Sequence, residues 1–403
     1  MHTRSPIEEN SMSDQIRHLR LSHVVLPLEN PVSDAKVLTG RQKPLTETVL
    51  LFVEVKTEQG HEGMGFSYSK RAGGPSQYTH LKEIAEVAIG QDPSDIDRIY
   101  QSLLWAGASV GRSGVATQAI AALDVALWDL KARRAGLPLA KLIGAHRDSC
   151  RVYNTSGGFL QASVEEIKEK ATASLESGIG GIKIKVGQPD WKTDLERVAT
   201  VRDHLGDAPF MVDANQQWDR ARARRMCREL EAYDLVWVEE PLDASDAVGH
   251  ADLSRTFDTP IATGEMLTSV PEHMALLDAG YRGIVQPDAP RIGGITPFLR
   301  FATLASHAGL ALAPHYAMEI HLHLAATYPT EPWVEHFEWL NPLFDERIEI
   351  RDGRMWVPDR IRSLRVKPRP GRSGTHMRPS WISIRSSKRG LSHSKCSTHG
   401  SVG

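Results

Sequence analysis

Short apolar runs ending in ionisable residues recur at nearly regular spacing through the second half of the sequence, and they constrain the fold more than any other feature. Lys183 and Lys185 follow GGI, Asp213 follows PFMV and Glu239 follows LVWV. Glu265 then follows PIATG, Asp288 follows GIVQP and His315 follows LALAP. From Lys185 onward the intervals are 28, 26, 26, 23 and 27 residues, close to the roughly 30-residue length of a strand–helix–strand unit. Runs that are apolar throughout are those of parallel strands buried on both faces. Polar residues at the ends of successive strands of this kind gather on one rim of a barrel, where such folds carry their active sites. The series predicts an α/β protein whose main domain is a TIM-type (β/α)7–8 barrel.

The N-terminal half has a different character. Residues 1–15 are polar, lack the apolar core of a secretion signal, and read as a disordered leader. IRHLRLSHVVLPL alternates as a strand does, and TVLLFVEVKTEQGHEGMGFSYS reads as two strands around a turn at 58–63. Residues 77–135 read as helices, with Gly136 suited to cap the last of them. The expected organisation is an α+β capping domain over 16–140 with a lid loop at 29–47, then the barrel over 141–360. The lid carries Asp34, Lys36, Arg41 and Lys43, and SKRAGG places Lys70 and Arg71 before two glycines. A polar lid and an anion-binding turn, or a solvated connector and a surface turn, are equally compatible with those residues.

Asp213, Glu239 and Glu265 end three successive strands. Adjacent strands lie about 4.8 Å apart, so three carboxylates in register converge on one hard cation, and oxygen ligands favour Mg²⁺. Glu240 is set aside as a ligand because strand alternation turns it to the opposite face. Lys183 and Lys185 share a strand face, and mutual repulsion is expected to lower their pKa values toward those of a general base. Asp288 precedes His315 by one strand and can orient its imidazole. A cation between two bases on opposite sides of the ring suits proton removal α to a carboxylate, hence racemisation, epimerisation or β-elimination of a hydroxy acid. An interior lysine is also compatible with a Schiff-base aldolase, and the barrel with a non-catalytic binding protein. GIGGIK lacks the spacing of a dinucleotide loop, and His321 and His323 sit among apolar neighbours as structural histidines do.

The KIK pair, the Asp/Glu/Glu trio and the Asp–His dyad, with the stretches SDAKVLTGRQKPLTE, GFSYSKRAGG, YNTSGGF, MVDANQQWDR, TPIATGEMLTS and APHYAMEIHLHL, resemble the enolase superfamily, mandelate racemase subgroup, over residues 20–360. Within that subgroup the resemblance is to dehydratases of aldarates, the sugar diacids. It implies a homo-oligomeric lyase with one Mg²⁺ per subunit on Asp213, Glu239 and Glu265, and a 2-keto-3-deoxy product. It implies Lys185 as the base that takes the α-proton, Lys183 as a substrate-carboxylate contact, and His315 with Asp288 as the second acid/base. Asn215, Glu335, Asp34, Ala35, Lys70 and Arg71 are implied substrate contacts, the last two supplying charge for a second carboxylate. A related hydroxy-acid enzyme of the same subgroup is the alternative.

Composition adds exclusions. A 41% hydrophobic, 24% charged chain is ordinary for a soluble protein, and no run of about 18 apolar residues marks a membrane span. Three scattered cysteines, Cys150, Cys227 and Cys396, read as reduced thiols of a cytoplasmic protein. The net charge of −2 hides an acidic body, with 38 Lys and Arg against 50 Asp and Glu over residues 1–360. That balance gives no reason for a nucleic-acid partner. Residues 361–403 hold ten basic side chains and no acid, depart abruptly from the family pattern, and read as a disordered or frame-shifted tail.

Overall fold

The structure is a computed structural model that describes residues 14–155, 157–344, 346–359 and 380–385. Strands β1 (Ile16–Val32), β2 (Leu45–Thr57) and β3 (Glu62–Lys70) form an antiparallel meander. Two-residue alternation sorts its side chains. Leu19, Leu21, Leu51, Val53 and Val55 enter a core shared with the helices of the cap. Val24, Leu26, Leu50, Phe52, Phe66 and Tyr68 join the core of the barrel. The cap sheet is therefore apolar on both faces and docked on one. Helix Val115–Ala135 crosses β3 so closely that a Cβ on Gly65 would lie 2.3 Å from the Ala122 carbonyl oxygen, and only glycine fits there.

The expected lid is shorter than the sequence indicates. β1 runs to Val32 and β2 begins at Leu45, and a short helix, Ala35–Leu38, occupies the middle of the connection. The tail also differs at one place. Ser380–Arg385 pairs antiparallel with β1, from His23↔Ser380 to His18↔Arg385. Ile382 and Ile384 pack against the cap core, giving the two-residue period a half-buried edge strand needs. The expectation of disorder is corrected at these six residues. Residues 1–13 of the expected leader, residue 360, and residues 361–379 and 386–403 of the expected tail lie outside the described residues.

The barrel strands are β4 (Ser149–Asn154), β5 (Ile182–Lys185), β6 (Phe210–Asp213), β7 (Trp237–Glu239), β8 (Ile261–Thr263), β9 (Ile284–Val285), β10 (Ala311–Leu312) and β11 (Trp333–His336). They run parallel in chain order, and β11 returns to pair with β4, so the ring has eight strands. No ladder joins β10 to β11 among the described residues. Side chains stitch that seam instead: the Tyr316 amide donates to the Glu335 carboxylate at 2.9 Å, and the Tyr328 hydroxyl to the Leu310 carbonyl at 2.7 Å. A hairpin, β12 (Ile350–Arg351) and β13 (Arg354–Trp356), adds antiparallel to the first half of β4. Inside the ring, Tyr153, Met211, Trp237, Ala262, Ile284, Ala313 and Trp333 make an apolar layer. The chemistry-bearing residues lie above it.

Candidate active site

Strand register sets the first row of the site. Lys185 stands opposite Asp213, and Asp213 opposite Glu239, across β5, β6 and β7. Glu265 follows the end of β8 past Gly264, whose φ is +124°. The three carboxylates each present an oxygen within 4.8 Å of the others, and all three residues are buried. A buried cluster of hard oxygen donors at this separation fits a small divalent cation such as Mg²⁺.

Their other contacts are fully specified. Glu239 accepts from the Trp237 indole at 2.9 Å and the Gln286 amide at 2.8 Å, and pairs with Lys183 at 2.6 Å. Lys183 also reaches Glu335 at 3.0 Å. Asp213 accepts from the Asn215 backbone amide at Oδ1 (2.8 Å) and from the Asn215 side-chain amide at Oδ2 (3.2 Å), and Lys185 donates to that same Oδ2. Asn215 thus holds the first carboxylate, while its buried side-chain Oδ1 has no hydrogen-bond partner among the described residues. Glu335 accepts from Thr155 and from the Tyr316 amide. Burial would raise its pKa, but Lys183 and then His315 hold it down to about 2.

The lysines depart from expectation. Burial does favour their neutral forms, and Lys183 does lower Lys185 by repulsion. Asp213 beside Lys185, and Glu239 and Glu335 beside Lys183, outweigh both effects and hold the two ammonium groups above their ordinary pKa. The carboxylates one strand away, rather than the second lysine, decide the sign. Glu240 also needs a correction. It does not face outward, because β7 ends at Glu239 and Glu240 takes a left-handed φ of +39° where alternation no longer applies. Its buried carboxylate accepts from Gln216 at 3.0 Å through both oxygens and is not part of the carboxylate cluster.

His315 and Asp288 are brought together on the far side of the trio. Asp288 Oδ2 lies 2.8 Å from His315 Nδ1, leaving His315 Nε2 3.4 Å from Glu265. Asp288 also caps the short helix Ala289–Ile292 through the Arg291 amide. Burial would raise its pKa, but the hydrogen bond and charge of His315 keep it below the ordinary carboxylate value.

The cap closes the site from above. Phe66, Tyr68 and Lys70 share one face of β3, and the Lys70 ammonium lies over the rings of Tyr316 (4.0 Å), Trp339 (5.4 Å), Tyr68 (5.5 Å) and Phe337 (5.7 Å). Burial, then the Arg291 cation, push Lys70 down to about 7. Arg71 pairs with Asp34 at 3.1 Å and donates to the Lys43 carbonyl, tying the end of β3 to the β1–β2 connection. Asp34 in turn caps the lid helix through the amides of Lys36 and Val37. Ala35 is buried against Gly187, where an added Cβ would lie 3.1 Å from the Ala35 Cβ at a φ of +111°. Tyr68, Trp237, Gln286, Arg291, Tyr316, Phe337 and Trp339 were not among the candidates. The aromatic side chains read as core, Gln286 follows a strand and Arg291 lies in a short helix, and only the i, i+2 relation of Tyr68 to Lys70 flags one of them. His321 is structural, accepting from the Ala289 amide at 2.9 Å, with burial holding it down to about 4.

Comparison with known proteins agrees with this architecture. Residues 25–144 match the mandelate racemase/muconate lactonizing enzyme N-terminal domain, and residues 166–361 match the enolase C-terminal domain-like family. The chain is 62% identical over 348 residues to the L-talarate/galactarate dehydratase of Salmonella typhimurium, covering 86% of this chain and 87% of that protein. A crystal structure of that dehydratase superposes with a TM-score of 0.91 at 55% identity, covering 96% of this chain and 98% of the other. The L-talarate dehydratase of Polaromonas sp. JS666, complexed with Mg and L-glucarate, superposes with a TM-score of 0.88 at 61% identity, covering 93% and 100%. The 3,6-anhydro-alpha-L-galactonate cycloisomerase of Streptomyces coelicolor is 38% identical over 315 residues, covering 77% of this chain and 87% of that protein. A capping meander docked on an eight-strand barrel, with acids, lysines and a His–Asp pair on its rim, makes this chain a member of the enolase superfamily, in its mandelate racemase/muconate lactonizing enzyme family.

Proposed function

We propose that the protein is a Mg²⁺-dependent hydro-lyase that dehydrates an aldarate, L-talarate or galactarate, to the 2-keto-3-deoxy diacid. The observation that carries this reading is the placement of two opposed acid/base groups around the carboxylate trio: Lys185 touches Asp213 on one side and His315 faces Glu265 on the other. The names of the dehydratases it is similar to supply the substrate class.

Mg²⁺ held by Asp213, Glu239 and Glu265 would bind a substrate carboxylate and offset the negative charge that develops on the enediolate. Lys183 orients the same carboxylate, itself fixed by Glu239 and Glu335. Lys185 Nζ, in its neutral form, takes the α-proton as the Cα–H bond breaks and becomes the ammonium that Asp213 stabilises. His315 Nε2 then gives a proton to the β-hydroxyl as its C–O bond breaks, so water leaves and the enol tautomerises to the keto acid. Asp288 fixes the ring so that Nε2 faces the site. Because the two groups approach from opposite sides, epimerisation at the α-carbon is open to the same machinery. No helix of the described residues is long and apolar enough to cross a membrane. The free buried thiols of Cys150 and Cys227 fit a cytoplasmic enzyme, and a homo-oligomer is part of this reading.

The test is a panel of aldarates and aldonates with Mg²⁺, assayed for 2-keto acids with and without EDTA. The expected result is EDTA-sensitive turnover of L-talarate or galactarate; turnover of aldonates alone would overturn the substrate assignment.

Lys70 adds a pH dependence. A diacid whose distal carboxylate lies beside Lys70 binds best when that amine is protonated. With the free-enzyme amine titrating at about 7, KM for the diacid should rise as pH increases above 7. The Lys70→Arg variant, charged throughout that range, should show a flatter profile. Equal slopes in the two proteins would remove Lys70 from substrate binding.

A further inference from the structure

We infer that Tyr68, a residue of the capping domain, is a positioning residue for the barrel's acid/base pair, so that the dyad is a triad completed across the domain interface. The Tyr68 hydroxyl lies 2.5 Å from Asp288 Oδ2, the same oxygen that His315 Nδ1 approaches at 2.8 Å. The phenol oxygen is itself 3.3 Å from that nitrogen. The remaining carboxylate oxygen accepts from the Arg291 amide at 3.1 Å. Tyr68 and Asp288 are 1% and 0% exposed, so bulk solvent does not reach the carboxylate and these protein donors orient it.

The direction of the Tyr68 bond is settled by chemistry. An ionised carboxylate only accepts, so the phenol donates. Burial, then the charge of Asp288, push the phenol well above its ordinary pKa, which keeps the proton in place. The ring has little freedom to turn away: it meets Tyr316 edge-on at 4.7 Å and carries the Arg291 guanidinium 5.8 Å from its centre. A donor at Oδ2 restrains the rotation of Asp288 and therefore the aim of His315 Nε2. Lys185 shows no such dependence among the described contacts, since its amide donates to the Gly158 carbonyl and its ammonium to Asp213, both in the barrel domain. One face of β3 carries both Tyr68 and Lys70, so docking the cap completes the half of the site that handles the leaving group.

The inference rests on the proposed assignment of α-proton removal to Lys185 and leaving-group protonation to His315. The test compares two rates for Tyr68→Phe in D₂O with Mg²⁺ and an aldarate: deuterium exchange at the α-carbon and release of the 2-keto acid. Loss of a hydrogen bond to a charged group should slow release by about tenfold or more while exchange stays within about twofold, so deuterated substrate accumulates before it is dehydrated. In an Asp288→Asn background the same substitution should add nothing to the loss. Equal falls in both rates, additive losses, or an unchanged partition would overturn the inference. A second readout stands apart from turnover. The low-field proton resonance of the His315–Asp288 bond should move in Tyr68→Phe, and a resonance that stays put would overturn the triad whatever the substrate proves to be. A wild-type protein that dehydrates no aldarate while the resonance moves would instead count against the proposed function alone.

Discussion

Replacing Lys185 with alanine should lower dehydration by roughly 10²–10⁴-fold, the span of a general base in the transition state, and leave Mg²⁺ binding intact or tighter. The argument starts from the Lys185–Asp213 contact. An ammonium on Asp213 competes with a cation for the same carboxylate, so removing it frees a ligand rather than destroying one. Asp213 keeps both hydrogen bonds from Asn215 and the more distant Lys183, 3.9 Å away, so its position does not depend on Lys185. Lys185 ends its strand and is partly exposed to the site, so truncation opens space toward solvent instead of a sealed cavity. The measurements are kcat for the aldarate and the rise in Tm with Mg²⁺. A variant within tenfold of wild type in kcat would remove Lys185 from the role of base. A lost Mg²⁺ response would show that the lysine supports the metal site instead.

The barrel was legible because its inner strands are apolar on both faces, so a charged residue ending each run has no structural reason to be there. Register then did the rest: Lys185, Asp213 and Glu239 are lateral neighbours, and equal spacing in the chain anticipates that. What stayed hidden depends on relations between elements. A tyrosine in an alternating strand reads as core, and nothing in GFSYSKR reveals that Tyr68 ends against a carboxylate 220 positions further along. The pKa direction of the lysines failed for a similar reason, since KIK displays the like charge two residues away but not the acids one strand over. Glu240 failed at a strand boundary, where a left-handed residue cancels the two-residue period. In the tail, a composition rich in charge and serine concealed a short alternating stretch that adds an edge strand to the cap sheet.

Replacing Glu239 with glutamine should abolish the stabilisation of the protein by Mg²⁺. A ligand that binds only the folded state adds about 2.7 kcal/mol at a hundredfold excess over its Kd, which the wild-type protein should display as a rise in Tm. Both oxygens of Glu239 have protein partners: one takes the Trp237 and Gln286 hydrogens, and the other faces Lys183. A glutamine can keep its carbonyl oxygen on Trp237 and Gln286 only by turning its amide hydrogens toward the ammonium, donor against donor. Turning the amide over leaves those two donors unsatisfied instead. Either way the position loses its negative charge and a well-placed oxygen for a cation. Without metal, two effects of opposite sign compete. Lys183 loses its 2.6 Å partner but retains Glu335 at 3.0 Å, and the repulsion that Asp213 and Glu265 exert on a third buried acid is relieved. The metal-free Tm is therefore the weaker diagnostic, and the Mg²⁺ titration is the one that isolates the ligand role. If the variant's Tm climbs with Mg²⁺ over the same concentrations as the wild type's, Glu239 is not a ligand, and the cation, if bound at all, rests on a different set of oxygens.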